Sequence, residues 1–485
     1  MFFKNYLYPF LFGLVGIFAF APFSIKPLIF VSYFYLINSL ITTKKNFSQI
    51  LSWGIGHWSF GMSWLIVSIY YYGETTIATS LIIYILLILL LTLVFTLPLL
   101  IINKILKWLN NSRKVYDVVF VSIAFLISEW SRYYFLNGVP WLIPGNIFLD
   151  TYIQNSYPIF GVFFGSLIIY LFSSSFVFYN KNTKTLIVLI LLSALTILPE
   201  NKINEDDSYD YQISIVQPAS DPFLKYEENY FRLIENNIIE LLSKVPKNTD
   251  LIILPEAELP YAINSVKFDL FLDKLSKSKG LIMGVWLFDK NKLYNAIYNL
   301  DNKNLYKKQH LVPFGEYIPF LPKLRGLIQF FELPMSNVSH GGINQEKFSI
   351  LDNIEVATPI CFDIAFAKTV RKINKSSKIM INISNDTWFG DSIGPHQHLS
   401  ITRIRALENN RWVIRATNDG ISGIIDNKGT IVDILDKGKK GLLNGNVNLV
   451  DHQSIYNKFG YMIVGVVSFI FILILFIMRI CKNLY

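Results

Sequence analysis

The sequence predicts a multi-span α-helical membrane bundle of about eight transmembrane helices, joined to an extramembrane α/β domain. Two observations lead to this prediction. Of the 485 residues, 52% are hydrophobic and only 16% are charged, whereas about a quarter of the residues in soluble domains are charged. The apolar residues are also unevenly distributed. Residues 1–200 are almost continuously apolar, residues 205–455 have an ordinary globular composition, and residues 460–479 are apolar again.

The apolar stretches are long enough to divide into individual spans, since a bilayer core of about 30 Å requires about 20 apolar residues per helix. The first stretch carries Lys4 ahead of its apolar run, as a signal peptide would. Ala-Phe-Ala-Pro (19–22) nevertheless puts proline after the only suitable cleavage site, so we expect a retained helix. The predicted spans are 6–22, 25–41, 51–72, 77–102, 116–136, 156–178 and 183–199 in a membrane domain over 1–200, and 460–479 at the C-terminus.

Basic residues concentrate in alternate loops between these spans, which predicts the orientation of the chain. This distribution puts both termini in the cytoplasm and residues 205–455 outside it. The net charge of +9 then requires no nucleic-acid partner, because no basic stripe with interleaved aromatic residues is present in the sequence. A polar hinge over 199–208 is expected to join the two parts. The basic loop residues are Lys4, Lys44, Lys45, Lys104, Lys107, Arg113, Lys114, Lys181, Lys184, Arg479 and Lys482.

Within 205–455, short β-branched runs alternate with stretches that have apolar residues at helical spacing. Helical spacing occurs over 225–245 and 266–279. Strands that are apolar on both faces, separated by helices, predict a layered α/β domain whose sheets are covered by helices. The strand-like runs are 211–216, 251–254, 280–285, 356–360 and 378–383.

Cys361, in Thr-Pro-Ile-Cys-Phe-Asp (358–363), is the only cysteine outside the final apolar segment. It cannot form a disulfide within its domain, so it is either a buried residue without chemistry or a nucleophile. It follows a strand-like run, as do Glu256 and Asn385, and strand ends in α/β sheets commonly face the ligand crevice. A nucleophilic thiol requires a base or a cation beside it.

Glu256 and Lys308 are the candidate partners. Pro255 fixes the backbone before Glu256, which suits an aimed side chain, but Glu258 competes for the same role. Lys308 precedes a segment, 309–319, that is dense in backbone-restricting residues. A lysine beside a cysteine lowers the thiol pKa and stabilises an oxyanion. An ordinary surface lysine and a solvated loop carboxylate remain the alternatives at this point.

Glutamate, lysine and cysteine in this order, each after a strand, resemble the triad of the nitrilase, or carbon–nitrogen hydrolase, superfamily. Within it, the chain resembles the apolipoprotein N-acyltransferase family over nearly its whole length. The most specific string is Leu-Val-Pro-Phe-Gly-Glu (311–316). Supporting strings are Gly-Val-Pro-Trp-Leu (138–142), Tyr-Asn-Ala (294–296), Asn-Asp-Thr-Trp-Phe-Gly (385–390) and Arg-Ala-Thr-Asn-Asp-Gly-Ile-Ser (415–422).

The resemblance implies a nitrilase-like αββα sandwich over 205–455 and a role for each matching residue. Glu256 would be the general base, Lys308 the oxyanion stabiliser and Cys361 the acylated nucleophile. The supporting residues would be Glu316, which would orient Lys308, together with Asp363, Tyr226 and Asn295. Asp363 stands where many relatives have glutamate, and Tyr226 where they often have tryptophan. Both departures put the fit of the substrate in doubt rather than the reaction.

The reaction implied is a two-step acyl transfer from a phospholipid to the amine of a diacylglyceryl apolipoprotein through a cysteine thioester. The resemblance implies no cofactor, no metal, no nucleic acid, a monomer, and a bacterial inner (cytoplasmic) membrane with the catalytic domain on the periplasmic side. The runner-up is a membrane-tethered amidohydrolase that acts on a small amide, which would leave the multi-span half without a purpose. A transporter is less favoured still, because the span interiors are nearly free of charge.

Other segments carry hypotheses of their own. The apolar and basic stretch 319–334, with Phe330 and Phe331, is either a lid that dips into the membrane interface or an ordinary packed helix and turn. His396 and His398 have no evident third partner for zinc, so capping of a helix or loop is the favoured role. His310 is expected to be packed or hydrogen-bonded, and Asn385, Trp388 and Arg415 to be crevice anchors or substrate contacts. Glu129 and Arg132 are expected to pair at i,i+3 within a span.

Overall fold

The computed structural model describes residues 2–42, 46–72, 76–109, 114–134, 138–197, 209–222, 224–275, 279–313, 315–317 and 338–484. The chain divides into two compact units. The first comprises Met1–Ile66, Ala78–Glu200 and Phe459–Tyr485, and the second comprises Val67–Ile77 and Asn201–Lys458. The hinge expected over 199–208 lies outside the described residues.

The first unit is mainly helical, and the second unit has helices of its own that cover its sheets. Their bounds are α1 Tyr8–Ile17, α2 Pro27–Thr42, α3 Asn46–Gly61, α4 Trp64–Val67, α5 Ile77–Leu109, α6 Lys114–Tyr134, α7 Tyr157–Phe160, α8 Val162–Phe178, α9 Lys181–Thr196, α10 Phe231–Ser243, α11 Val266–Leu272, α12 Ala367–Ile373, α13 Gly394–Asn409, α14 Ile455–Phe459 and α15 Met462–Leu484.

In the first unit, α1 and α3 approach each other at glycine residues. A Cβ added at Gly13 would lie 2.0 Å from the carbonyl oxygen of Trp53, and one at Gly56 would lie 2.0 Å from the carbonyl oxygen of Phe10. Small residues allow helix backbones to come this close, as is common where helices associate without a hydrophobic driving force. Helix α8 packs against both α2 and α6 in the same unit.

The expected pair of Glu129 and Arg132 is confirmed, with 3.4 Å between a guanidinium nitrogen and a carboxylate oxygen. The pair is buried and connects three segments of the unit. Tyr170 of α8 donates its hydroxyl to Glu129 at 2.7 Å, and Arg132 donates to the carbonyl of Trp141 at 3.1 Å. The guanidinium also lies 4.1 Å from the ring centroid of Trp58. Each charge therefore has several partners, as buried charges require.

Each of the eight predicted spans contains a helix, although two of them are interrupted. The span at 51–72 is divided into α3, α4 and a π-helical turn at Ser68–Tyr72, and the span at 156–178 is broken between α7 and α8. Gly161 occupies that break with φ 74°, a left-handed conformation that favours glycine. Among the described residues, one helical stretch, Ile77–Ile101, is long and apolar enough to cross a membrane, with a mean hydropathy of 2.9. The count of about eight stays a prediction.

Over its described residues, the second unit contains twelve strands in two mixed sheets of six. The strand order is β12-β1-β2-β3-β4-β5 in one sheet and β11-β10-β9-β8-β7-β6 in the other. The bounds are β1 Tyr211–Gln217, β2 Leu251–Ile253, β3 Leu281–Asp289, β4 Lys292–Asn299, β5 Leu305–Lys307, β6 Phe348–Ile350, β7 Ile354–Ala357, β8 Ile379–Ser384, β9 Val413–Thr417, β10 Ser422–Ile425, β11 Ile431–Leu435 and β12 Gly441–Val447.

Alternate residues of each strand divide between two apolar layers. Ile213 and Ile215 of β1 join one cluster together with Ile381 of β8 and Ile414 of β9, so this cluster lies between the two sheets. Val216 instead joins a second cluster formed with α10 and α11. Helices α12 and α13 contact the other sheet through β7 and β9. This is the layered α/β domain that the alternation of strands and helices predicted.

Every strand-like run found in the sequence corresponds to a strand, and both helical stretches contain a helix. The helices are shorter than predicted: α10 begins at Phe231 rather than 225, after a 3-10 turn at Glu228–Tyr230, and α11 ends at Leu272 rather than 279. Ser265 sets the start of α11, because its hydroxyl accepts from the Phe268 N–H as an N-cap.

Candidate active site

Cys361 opens a short 3-10 turn, Cys361–Ala365, just beyond β7. Its φ is 46°, in the left-handed region that costs an L-residue about 1–2 kcal/mol. The Asp363 N–H donates to the carbonyl of Ile360 at 2.9 Å, and Ile360 bridges to Ile383 of β8. Only 8% of Cys361 is exposed. The surrounding fold thus imposes one orientation on the thiol.

Glu256 lies beyond the end of β2, and the backbone beside it is tightly packed. A Cβ at Gly284 of β3 would lie 2.5 Å from the Glu256 Cα, so only glycine lets β3 pass. The carboxylate accepts from three donors. Oε1 accepts from Lys308 Nζ at 2.8 Å and from Asn295 Nδ2 at 2.6 Å, and Oε2 accepts from the Asn385 N–H at 2.7 Å. Glu256 is therefore aimed from three separate segments of the fold.

Lys308 directly follows β5, where its N–H donates to the Asn295 carbonyl at 2.8 Å and continues the pairing with β4. Its Nζ contacts Glu256 at 2.8 Å and Glu316 at 2.9 Å, and the side chain is 1% exposed. Burial by itself would lower the pKa of the ammonium. The attraction of Glu256, Glu316 and Cys361 outweighs burial and holds this pKa well above its usual value. Lys308 is therefore a fixed cation and not a proton carrier at neutral pH.

Glu316 also contacts the Lys308 ammonium and fixes the loop that precedes it. Its Oε2 accepts from the Val312 N–H at 2.9 Å, and its Oε1 accepts from Asn295 Nδ2 at 3.1 Å. Asn295 thus donates to both carboxylates and keeps them at a fixed separation around the ammonium. Glu316 and Asn295 lie where the sequence resemblance put supporting residues.

Asp363 ties the turn that begins at Cys361 to the segment after Lys308. Its carboxyl accepts from the backbone N–H groups of His310 at 2.7 Å, Ile360 at 3.3 Å and Gln309 at 3.4 Å. Burial raises the pKa of Asp363 to about 7, although these hydrogen bonds oppose the rise. The shorter aspartate therefore still reaches the segment that carries Lys308.

The rival carboxylate, Glu258, is also buried but serves a different partner. It accepts a hydrogen bond from Ser220, and its Oε2 lies 3.9 Å from the Nζ of the buried Lys225. The intervening residue, Ala257, has φ 45°, so the chain turns between the two glutamates. Glu256 is the one of the pair that binds Lys308.

Tyr226 lies close enough to this group of carboxylates to interact with them. Burial raises the pKa of its hydroxyl above the usual value, and the charges of Glu258, Glu256 and Glu316 raise it further. The Lys225 ammonium lies 5.9 Å from the centroid of its ring. The structure therefore brings Tyr226 to the same region as Glu256 and Glu316.

The Cys361 thiol is protonated at rest. Burial and the charge of Glu256 raise its pKa well above the usual value, and Lys308 and a hydrogen bond with Ser384 oppose that shift only in part. Formation of a thiolate therefore requires transfer of the proton to a neighbouring base. Glu256 carries the negative charge that Cys361 interacts with most strongly, and it also contacts the Lys308 ammonium.

Histidines near the site have structural partners. His310 stacks on Phe366 with 3.7 Å between ring centroids and bonds Thr369 through Nε2 at 2.6 Å, as expected for a packed histidine; burial lowers its pKa to about 4. The capping role favoured for His398 is wrong. His398 lies inside α13, where the helix start has no side-chain cap, and its Nε2 lies 3.3 Å from the Cys361 carbonyl. Within the described ranges no three His, Cys, Asp or Glu residues cluster as a metal site.

Two hydrogen-bonding contacts of the site could not be found by sequence reasoning. The first is the backbone N–H of Asn385, which donates to Glu256 across 129 positions of the chain. The second is the contact of His398 with the carbonyl of Cys361. The sequence strings that contain Asn385 and His398 point to these two segments, but a main-chain donor leaves no residue-type signature. The lid expected over 319–334, with Phe330 and Phe331, lies outside the described residues.

Two protein families match this chain in succession. Residues 12–175 match the apolipoprotein N-acyltransferase N-terminal domain, and residues 212–457 match the carbon–nitrogen hydrolase family. The N-terminal match favours acyl transfer over the tethered amidohydrolase, which gave the multi-span half no purpose.

Similarity to individual proteins extends over nearly the whole chain. An apolipoprotein N-acyltransferase of Haemophilus influenzae is 33% identical and the match covers 97% of this chain and 94% of that protein. The corresponding protein of Pasteurella multocida is 31% identical, with 92% and 90% covered. That of Pseudomonas aeruginosa is 30% identical, with 88% and 87% covered.

Proposed function

The chain belongs to the apolipoprotein N-acyltransferase family, and on that premise we propose that Glu256, Lys308 and Cys361 carry its acyl transfer. The acyl chain comes from a phospholipid, and the acceptor is the N-terminal amine of a diacylglyceryl-cysteine lipoprotein. The observation that carries the proposal is the Lys308 ammonium held at 2.8–2.9 Å by Glu256 and Glu316, in the same buried site as the protonated thiol of Cys361.

The first half-reaction forms a thioester. Glu256 accepts the proton from Cys361 Sγ, and the thiolate attacks the ester carbonyl carbon of the phospholipid. Negative charge then moves to the carbonyl oxygen, where a preorganised cation such as Lys308 is worth far more than in water. The tetrahedral intermediate expels the lysophospholipid alkoxide, and Glu256 returns its proton to that oxygen. One ester bond is broken, one thioester bond is formed, and no net proton is released.

The second half-reaction passes the acyl chain to the acceptor. The neutral α-amine of the diacylglyceryl-cysteine attacks the thioester carbon while Glu256 takes up the proton that the nitrogen loses. The intermediate then releases the Cys361 thiolate, which recovers a proton from Glu256. An amide replaces the thioester and the enzyme returns to its resting state. Covalent catalysis suits two bulky lipid substrates because they never need to be bound together.

The positions of the two glutamates support a division of labour. Glu256 accepts three hydrogen bonds that fix the direction of its carboxylate, and a base that takes and returns a proton must be held within reach of it. Glu316 contacts the ammonium and its own loop and serves to orient Lys308. Asp363, Asn295 and Tyr226 act through the residues they contact.

We also propose the arrangement in the membrane. About seven helices over 1–200 and one over 460–479 span a bacterial inner membrane, with both termini cytoplasmic and the catalytic domain of 205–455 on the periplasmic side. Outward-facing apolar side chains on α5 and α15, such as Ile82 at 60% exposed and Val467 at 63% exposed, support contact of these helices with lipid. The protein acts as a monomer.

The test supplies the full-length protein with phospholipid labelled in its acyl chain and a diacylglyceryl-cysteine peptide. Labelled amide on the peptide is expected, at a rate reduced at least 10³-fold by Cys361→Ala and Glu256→Gln. The same peptide with an acetylated amine is the matched control and should receive no label. Label released only as free fatty acid would contradict the proposal and point to a hydrolase.

A further inference from the structure

Three buried polar side chains form a chain of contacts behind the nucleophile. Arg415 contacts the Asp386 Oδ2 at 2.6 Å, the Asp386 Oδ1 lies 2.9 Å from His398 Nδ1, and His398 Nε2 lies 3.3 Å from the carbonyl oxygen of Cys361. All three side chains are at most 1% exposed. The contacts lead from a charge pair to the main chain of the residue that becomes acylated.

The three residues of this chain of contacts lie on separate elements of the fold. Arg415 lies on β9, Asp386 follows β8, and His398 lies in α13. Arg415 also donates to Thr402 at 3.3 Å, and Ser384 donates its hydroxyl to Asp386 at 2.7 Å. Burial alone would raise the pKa of Asp386, but attraction by Arg415 and His398 together with the hydrogen bond from Ser384 outweighs burial and lowers this pKa. The Asp386 carboxylate is therefore charged at neutral pH.

At the other end of this chain of contacts, His398 contacts the backbone of Cys361, which has a strained conformation. Cys361 has φ 46°, and such a conformation persists only where surrounding contacts determine it. Because the peptide group is planar, holding the Cys361 carbonyl also sets the direction of the Phe362 N–H. A donor to that carbonyl therefore fixes both the thiol-bearing backbone and the amide group that follows it.

We propose that His398 is a positioning residue for Cys361: its Nε2–H donates to the carbonyl of the nucleophile, and its Nδ1 accepts from Arg415, which Asp386 holds in place. The proposal rests on the proposed function, since it assigns His398 to the same thioester chemistry. The groups that face the ring are Asp386, Arg415, the Cys361 carbonyl and the ring of Phe389, 5.8 Å away by centroids. Nothing in this set brings His398 to substrate, so its role is indirect.

Two near-isosteric substitutions separate the two ends of the imidazole. The amide of glutamine reaches about as far as Nε2, so His398→Gln keeps a donor for the Cys361 carbonyl and loses the contact with Asp386. The amide of asparagine reaches about as far as Nδ1, so His398→Asn keeps a contact with Asp386 and loses the carbonyl. His396→Gln, on an exposed residue of the same helix, is the matched control.

The full-length variants are given phospholipid without acceptor, and the single-turnover rate of Cys361 thioester formation is measured against lipid concentration, together with the unfolding midpoint. A small misplacement of a reacting group costs about 10²-fold in rate. His398→Asn should therefore be about 100-fold slower at saturating lipid, with unchanged half-saturation, and His398→Gln should stay within about tenfold of the parent. His396→Gln should match the parent.

An asparagine variant as fast as the glutamine variant, or rates that simply follow the unfolding midpoints, would overturn the proposal. If the parent protein forms no thioester at all, the proposed function fails instead. The rank of the two variants is then read without lipid from the pH profile of Cys361 alkylation by iodoacetamide, because a displaced thiol leaves the buried environment beside Glu256 and reacts as an ordinary thiol. A glutamine variant whose profile stays closer to the parent's than that of the asparagine variant supports the positioning role, and an equal or more distant one refutes it.

Discussion

Replacing Lys308 by methionine tests the structure of the site more severely than any other single change. Lys308 is 1% exposed and sits between two carboxylates, 2.8 Å from Glu256 and 2.9 Å from Glu316. Lys308→Met keeps the length of the side chain and removes its charge, so the two carboxylates are left buried without their cation. Removing one partner of a buried ion pair costs about 3–5 kcal/mol, mostly through the charge left behind.

The fold offers a control at nearly the same distance. Lys267 pairs with Glu228 at 2.9 Å, but the two side chains are 53% and 81% exposed. Exposed ion pairs contribute little because water screens them, so Lys267→Met should leave the unfolding midpoint almost unchanged. For Lys308→Met, about 3–5 kcal/mol corresponds to a drop on the order of 10 °C in a domain of this size. The assay is thermal unfolding of the full-length protein followed by tryptophan fluorescence.

A double variant shows whether the loss of stability in Lys308→Met comes from the uncompensated carboxylates. Lys308→Met with Glu316→Gln leaves only Glu256 charged, and Asn295 and Asn385 still donate to it. This double variant should therefore unfold at a higher temperature than Lys308→Met alone. Its thioester formation should stay at least 10²-fold below the parent, the cost of removing one oxyanion donor. Lys308→Met with the stability of Lys267→Met, or with parental acylation, would refute the reasoning.

Three further predictions concern single groups. Burial raises the Asp363 pKa to about 7 in the folded protein, against about 4 when unfolded. The contribution of Asp363 to stability is therefore present below pH 4 and is lost as the pH rises to 7. Asp363→Asn should abolish this part of the pH dependence of unfolding, and an unchanged profile would contradict the prediction. The raised pKa of Cys361 predicts that alkylation by iodoacetamide still accelerates above pH 9, past the plateau of an ordinary thiol; a plateau below pH 8 would exclude a protonated resting thiol. Arg132→Met leaves Glu129 buried with Tyr170 and without its cation, so the unfolding midpoint should fall by several degrees, and a midpoint equal to the parent's would show that the pair is dispensable.

Features that depend on local sequence could be predicted. Glu256 and Cys361 each follow an apolar strand, and Lys308 and Glu316 lie eight positions apart on one restricted loop, so chain order alone places them near strand ends. The strands found in the sequence, β1, β2, β3, β7 and β8, follow continuous apolar runs; the fully buried β9 and β10 were not found, because Arg415 interrupts the first and Ser-Gly opens the second. β11 was not found because its residues are mostly half-exposed or exposed, which leaves no continuous apolar run.

Features that depend on distant segments could not be predicted. The Asn385 N–H reaches Glu256 across 129 positions, and Asp363 reaches His310 across 53. A main-chain donor can be supplied by any residue except proline, so its identity carries no signal. His398 looked like a capping residue because its partner, the Cys361 carbonyl, lies 37 positions away on another element. The interruption at Gly161 was equally hidden within a continuous apolar run.

The central claim is that Cys361 carries the acyl chain between two lipids. The most direct measurement is the mass of the peptide that contains Cys361 after the full-length protein has been incubated with a phospholipid of known acyl composition and no acceptor. We predict one added acyl group on Cys361, labile to hydroxylamine and discharged when a diacylglyceryl-cysteine peptide is supplied. Unmodified Cys361 in a preparation that still transfers acyl chains would contradict it.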